Sequence, residues 1–206
     1  ATMGLFNYCR KYLDSNGGGI PKLVVAHDVR HFSKRFCELA ATVWSKMGGE
    51  VFIFDGARST PQLSFTVRHL KTTAGIVITA SHNPSHDNGY KVYFSDGAQA
   101  ISPHAEGIVA EVNKVAWNQV KPFLEVDLGG VELVGKSAED AYVKSIENCV
   151  IDKQVMAVNK PKAVFTAVHG TGATLCPTVM RHFGLEPALV EEQMIMDPRF
   201  PTVKQP

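Results

Sequence analysis

Apolar residues recur in two rhythms along the first part of the chain. Over residues 1–14 they fall at helical spacing, with Leu5, Tyr8, Cys9, Tyr12 and Leu13 on one stripe. Asn16-Gly17-Gly18-Gly19 stops that helix. A short apolar run at 22–27 reads as a buried strand. Ser33 then reads as the N-cap of a helix over 34–47, carrying Phe36, Leu39, Ala40, Val43 and Met47 at helical spacing and closed by Gly48-Gly49. A second strand follows at 51–54. Thr60-Pro61 opens a third helix, to about Leu70, because the fixed φ of proline suits a first helical turn. A third strand follows at 75–79. Short apolar strands alternating with longer amphipathic helices predict β-α-β units and a mostly parallel sheet.

The rhythm then changes. Asn88-Gly89 is a tight-turn signal, and the segment 90–94 alternates. Tyr90, Val92 and Phe94 share one face of this strand, while Lys91 and Tyr93 share the other. Asp96-Gly97 marks a second turn, and Ser102-Pro103 starts a helix to about Val115. Residues 116–136, with Lys121-Pro122, Gly129-Gly130 and Gly135, read as a break. Beyond it the pattern predicts a helix from Ser137 to Val150, a strand at 162–166, a turn at His169-Gly170-Thr171-Gly172, a helix at 174–183 and a strand at 188–190. The fold class expected is α/β. A mixed, mostly parallel sheet flanked by helices occupies residues 1–127, and a second, similar domain begins in residues 137–206.

Composition narrows the function classes. The 206 residues carry 21 Lys and Arg against 20 Asp and Glu, a net charge of +1, so the basic excess of a nucleic-acid binder is absent. With 45% hydrophobic and 20% charged residues the chain is of ordered, globular type. No apolar run approaches the ~18 residues of a membrane span, and no basic-then-apolar leader opens the chain. The expectation is a cytoplasmic protein with no nucleic-acid or membrane partner. Cys9, Cys37, Cys149 and Cys176 are scattered singly, without a C-x-x-C pair. They read as small buried hydrophobes in a reducing compartment.

Sites in open parallel sheets form beyond the carboxyl ends of the strands. Three such ends carry polar clusters: His27-Asp28-Val29-Arg30, Arg58-Ser59-Thr60-Pro61, and Thr79-Ala80-Ser81-His82-Asn83-Pro84. Ser81 has no Gly-x-Ser-x-Gly frame, and the adjacent His82 diverges from it, so a hydrolase-type nucleophile is a poor fit. Lys91, His82, Asn83 and the loop N–H groups instead suit an oxyanion, and a hydroxyl among them can accept and return a phosphoryl group. The residues alone leave open that Ser81 and Asn83 only cap a turn stiffened by Pro84, and that Lys91 is a solvated strand lysine. Arg30 is either an electrostatic contributor or the structural ion partner of Asp28. His82 and His86 have the i, i+4 spacing of a metal pair, but Pro84 between them points to a loop. His69, His104 and His182 read as surface or edge residues, and His169 as a candidate for the cleft of the second domain.

The run Thr79-Ala80-Ser81-His82-Asn83-Pro84, followed by Asp87-Asn88-Gly89-Tyr90-Lys91-Val92-Tyr93, resembles the active-site segment of the α-D-phosphohexomutases, the phosphoglucomutases and phosphomannomutases. Gly97-Ala98-Gln99 and Ile101-Ser102-Pro103-His104 bring it nearest to the phosphoglucomutase-2/phosphopentomutase branch. His27-Asp28-Val29-Arg30-His31-Phe32-Ser33 and His169-Gly170-Thr171-Gly172 match further strand ends of the family. The resemblance implies that Ser81 is carried as phosphoserine and transfers phosphate through a sugar bisphosphate between C1 and C6, or C5 of a pentose. It implies Lys91 as acid/base or charge partner, His82 and Asn83 as holders of the phosphoryl group, and Arg30 as a contributor. It also implies sugar monophosphate substrates, a sugar 1,6-bisphosphate activator, and Mg²⁺ bound in part through the Ser81 phosphate.

Two family features do not occur in this sequence. One is an Arg-containing Gly-Thr loop ahead of the first helix, and the other is an Asp-Gly-Asp-x-Asp-Arg metal loop. The expectation is therefore a mutase fragment with little activity of its own, partnered in the parent enzyme by its remaining domains. The alternative is a non-catalytic phosphosugar-binding or regulatory module.

Overall fold

The computed structural model describes residues 1–152, 154–159 and 161–204. Its first sheet is built around β1 (Lys22–His27), which pairs in parallel with β2 (Glu50–Ile53) on one side and β3 (Ala74–Ile78) on the other. β4 (Tyr90–Phe94) adds to β3 in antiparallel fashion, and β5 (Val131–Leu133) adds to β2 in parallel, giving the order β4-β3-β1-β2-β5. The period of two explains the two cores, because successive side chains leave opposite faces. Leu23, Val25, Ile76, Ile78 and Phe94 point to one face and meet α1 (Thr2–Asp14), α2 (Ser33–Lys46) and α4 (His104–Val112). Val24, Ala26, Val77 and Tyr93 point to the other and meet α3 (Thr60–His69). The fold is the mixed, mostly parallel α/β sheet flanked by helices that the pattern predicts.

Local chemistry explains the start of α3. Ser59 caps α3 in a reciprocal box with Gln62, and a proline sits in the first turn. The Trp44 indole, buried on α2, donates to the Pro21 carbonyl at 3.1 Å and meets the Phe6 ring edge-on.

Several expectations are corrected. Ser33 is the first residue of α2 and not its cap. The capping position is Phe32, and the Ser33 hydroxyl donates to Asp28 Oδ1 at 2.8 Å. Phe36 is 46% exposed, since the face of α2 turned to the core carries Ser33, Cys37, Ala40, Ala41 and Trp44 instead. The break at 116–136 holds a short helix, α5 (Trp117–Val120), and the edge strand β5. β5 has three residues, one of them charged, too few to show a period. His104 is half-buried at an edge: its ring stacks on Phe94 at 3.9 Å, and its Nδ1 lies 2.8 Å from the Tyr8 hydroxyl.

The later residues form α6 (Lys136–Glu147), α7 (Val155–Asn159), β6 (Ala163–Phe165), α8 (Gly172–His182), β7 (Pro187–Leu189) and α9 (Glu191–Met194). β6 and β7 pair in parallel as a separate two-stranded sheet. α6 lies against the first unit, with Ala138 in the α3 core and Glu139 accepting from Arg58 Nε at 2.6 Å. Cys9 and Cys37 are buried as expected. Cys149 is exposed in the turn that ends α6, and Cys176 is exposed on α8, which covers a sheet of only two strands. Among the described residues no helix is long and apolar enough to cross a membrane.

Candidate active site

β1 and β3 are neighbours and end together, His27 beside Ile78. The next residue on each strand is polar. Asp28 N donates to the Ile78 carbonyl at 3.0 Å, and the Thr79 hydroxyl donates to Asp28 Oδ2 at 2.6 Å. The other Asp28 oxygen accepts from Arg30 N at 2.9 Å and from the Ser33 hydroxyl. One carboxylate thus joins two strand ends and the start of α2.

The serine loop is hung from this carboxylate. Ser81 N donates to Thr79 Oγ1 at 3.0 Å, and Ser81 takes a left-handed backbone, φ 57°. Two successive turns follow, closed by Asn83 N to the Ala80 carbonyl and Asp87 N to the Pro84 carbonyl. Arg30, 3% exposed, reaches under the loop. Its Nη1 donates to the carbonyls of Pro84 (2.6 Å) and Asp87 (3.1 Å), and its Nη2 to those of Ser81 (2.9 Å) and Asn83 (2.6 Å). Its Nε lies 3.1 Å from Asp28 Oδ2 as a buried ion pair. The planar guanidinium fork suits this task, and a lysine could not reproduce it.

The return to β4 passes through Gly89, whose amide donates to Asn88 Oδ1 at 2.8 Å. A Cβ on Gly89 would stand 2.6 Å from the Thr79 carbonyl oxygen, so this close crossing requires glycine. The Asn88 side chain donates to Ser33 Oγ and to the His31 carbonyl, tying the loop to α2. Lys91 then lies on β4 opposite Val77, and its Nζ donates to Ser81 Oγ at 2.5 Å. The alternation of the strand and the left-handed turn bring together two residues ten apart.

The structure therefore unites Ser81, Lys91 and Arg30. His82 is exposed and its ring makes no hydrogen bond among the described residues. Asn83 turns its amide onto Asp87 Oδ2 at 3.2 Å. Both stand on the loop at the rim, beside the serine. His86 is exposed and lies near Asp87, apart from any metal-type cluster. Asp28 and Thr79, which organise the loop, were not among the expected site residues. The signal for them was the pair of polar residues directly after two adjacent strands.

The other strand end, at Arg58, does not join the site. Arg58 binds Asp55 and Glu139, and Ser59 caps α3. His169 is 1% exposed and faces no cleft. His27 is buried, lining a small cavity with Lys34, Glu38 and Phe54, and burial lowers its pKa. Its Nδ1 lies 2.7 Å from the Asp28 carbonyl. Among the described residues no group of three His, Cys, Asp or Glu side chains could hold a metal ion. The described residues therefore do not fit the Mg²⁺ that the resemblance implies, beyond the single oxygen of Ser81.

A doubly flanked α/β sheet with a serine presented at a strand end, and a lysine on that serine, defines an α/β/α protein with a serine–lysine site at its strand ends. The model of phosphoglucomutase/phosphomannomutase α/β/α domain I matches residues 1–119, and that of α/β/α domain II matches residues 140–206. The chain belongs to the phosphoglucomutase/phosphomannomutase family. It is 39% identical to human phosphopentomutase over 216 residues, covering all of this chain and 35% of that protein. It is 36% identical to the phosphoglucomutase of Staphylococcus haemolyticus over 211 residues, covering 98% of this chain and 36% of that one. A Thermus thermophilus crystal structure described as a phosphomannomutase superposes with TM-score 0.77 at 26% identity, covering 98% of this chain and 43% of that one. Paramecium parafusin, a phosphoglucomutase in an open form, shares the fold at TM-score 0.74 and 18% identity, with coverages of 98% and 40%. The chain spans about a third of the length of the curated relatives it matches.

Proposed function

We propose that this chain is the phosphoryl-carrying part of a phosphosugar mutase, with Ser81 as the carrier. The observation that carries the reading is the 2.5 Å contact of Lys91 Nζ with Ser81 Oγ on a loop stapled by Arg30. In the forward step the bond from phosphorus to Ser81 Oγ breaks and a bond to a sugar hydroxyl oxygen forms. The sugar monophosphate becomes a bisphosphate. Oγ leaves as an oxyanion, which the Lys91 ammonium stabilises together with the equatorial oxygens of the phosphoryl group, and the proton given up by the attacking sugar hydroxyl ends on Oγ, restoring the serine hydroxyl. After the bisphosphate turns around, the other phosphate returns to Oγ and the second hydroxyl is restored. His82 and Asn83, beside Ser81, hold the phosphoryl oxygens. Arg30, buried and committed to four carbonyls, positions the loop.

The substrates in this reading are hexose or pentose monophosphates, exchanged between C1 and C6 or C5, with a sugar 1,6-bisphosphate as activator. Mg²⁺ enters no step of this reading, because the described residues offer it no more than the oxygen of Ser81. The family membership supports the reading, as does the resemblance to phosphoglucomutases and phosphopentomutases.

The test is loading. The chain is incubated with glucose 1,6-bisphosphate and examined by intact mass and phosphopeptide mapping. One phosphoryl group on Ser81, absent in Ser81→Ala, is the expected outcome. Sugar-phosphate binding with no phosphoserine under any loading condition would favour a non-catalytic binding module and overturn the assignment.

A further inference from the structure

Six described non-glycine residues take a positive φ: Phe32, Lys71, Ser81, Val168, His169 and Phe200. Such conformations are costly for bulky or β-branched side chains and persist only where the surroundings over-determine them. Three of the six lie about Arg30. Phe32 begins the helix after it, Ser81 is bonded to it, and Phe200 lies against it. His169 anchors the segment that carries Phe200.

That anchoring is extensive. His169 N donates to the Gln193 carbonyl, and Asp197 N donates to the His169 carbonyl. The buried His169 ring bonds at both nitrogens, with Nδ1 2.8 Å from the Ile195 carbonyl and Nε2 2.9 Å from Thr202 Oγ1. A neutral ring with its proton on Nδ1 satisfies both. Gln193 accepts from the Thr166 hydroxyl at 2.6 Å and donates to Thr202 Oγ1 at 2.9 Å. The turn 197–203 is thereby pinned to the end of β6. At its tip Phe200, 6% exposed, lays its ring over the Arg30 guanidinium, 5.8 Å from the ring centroid to Cζ.

We infer that Phe200 is a positioning residue for Ser81, acting through Arg30. Its ring covers the guanidinium, excludes water from the four bonds to the serine-loop carbonyls, and so couples the second unit to the serine. Arg30 offers its N–H groups to the loop while its Cζ stands over the face of the Phe200 ring, within the reach of a cation–π contact. The consequence for phosphate uptake rests on Ser81 carrying phosphate. The consequence for loop order does not.

The experiment measures hydrogen exchange of the Ser81, Asn83 and Asp87 amides by NMR on the full 206-residue chain. The amides of β1 and β3 serve as references, and phosphate uptake from glucose 1,6-bisphosphate is followed alongside. Phe200→Ala is expected to speed exchange of the three loop amides roughly tenfold while β1 and β3 keep their rates. Phosphate uptake at Ser81 is expected to slow with it. Phe200→Tyr, which keeps the ring face, should restore slow loop exchange. If Phe200→Ala does not fold, Phe200→Leu keeps apolar bulk without the ring face and should loosen the same three amides. Unchanged loop exchange in Phe200→Ala would overturn the inference, provided Arg30→Lys speeds it. So would uniform acceleration across β1 and β3, which is the mark of a merely structural residue. If loop exchange responds as expected but wild type takes no phosphate, the positioning role stands and the carrier reading of Ser81 fails.

Discussion

Ser81 holds a left-handed backbone that a serine adopts only at a cost of roughly 1–3 kcal/mol. The offset is local. Its amide is held by Thr79, its carbonyl by Arg30, and its hydroxyl by Lys91. The first two contacts set the conformation, and in the proposed mechanism the third serves the chemistry. Lys91→Met therefore separates the two roles. It removes an ammonium and keeps the aliphatic stem, so thermal stability should change by no more than about 0.5 kcal/mol. The rate of phosphate uptake at Ser81 should fall by about a hundredfold, the scale of losing one charge-stabilising donor. Uptake at the wild-type rate would remove Lys91 from the transfer step.

His27 makes a pH prediction at the same scale. Burial depresses its pKa below the ordinary 6.5, while the unfolded chain keeps the ordinary value. Below that value the unfolded state takes up a proton that the folded state resists. The stability is thus fully present above about pH 6.5 and is lost as pH falls through the folded pKa. The midpoint of thermal unfolding should drop between about pH 7 and 5, and His27→Gln should flatten the drop. A profile unchanged by the substitution would assign the acid sensitivity elsewhere.

At the scale of elements, α3 rests on its cap more than on its length. Ser59 accepts from the Gln62 amide, and Ser59 N donates to Gln62 Oε1 at 3.1 Å, satisfying two orphan donors of a ten-residue helix. Ser59→Ala should cost about 1 kcal/mol in denaturant unfolding, with no change in loop exchange at Ser81. The long amphipathic helices and buried strands were legible because their periods repeat over several turns or over both faces. β5 and α5 were not, since three or four residues carry no measurable period and β5 exists by pairing with β2. Ser33 was misread for a related reason. A serine before an apolar run resembles a cap, but its hydroxyl is drawn instead to Asp28, a partner five residues back.

At the scale of the molecule, the two units differ in how much they enclose. The five-stranded sheet buries Cys9 and Cys37, and burial pushes the Cys9 thiol up to about 12 and raises that of Cys37 as well. Cys149, in the turn that ends α6, and Cys176, on α8, are exposed. An aromatic disulfide reagent at neutral pH should modify two thiols quickly in the native chain and all four in denaturant. Rapid modification of all four without denaturant would mean that the first core opens readily.

The sequence by itself determined the α/β class, the faces of the strands, and the serine loop with its lysine. These depend on local period, on turn chemistry and on a contiguous motif. The tertiary structure alone decided that Asp28 joins two strand ends, that Arg30 serves four loop carbonyls, and that Phe200 covers it from the second unit. Those contacts join residues far apart along the chain. Their geometry follows from which strands become neighbours and how the chain returns to them, which no local pattern encodes.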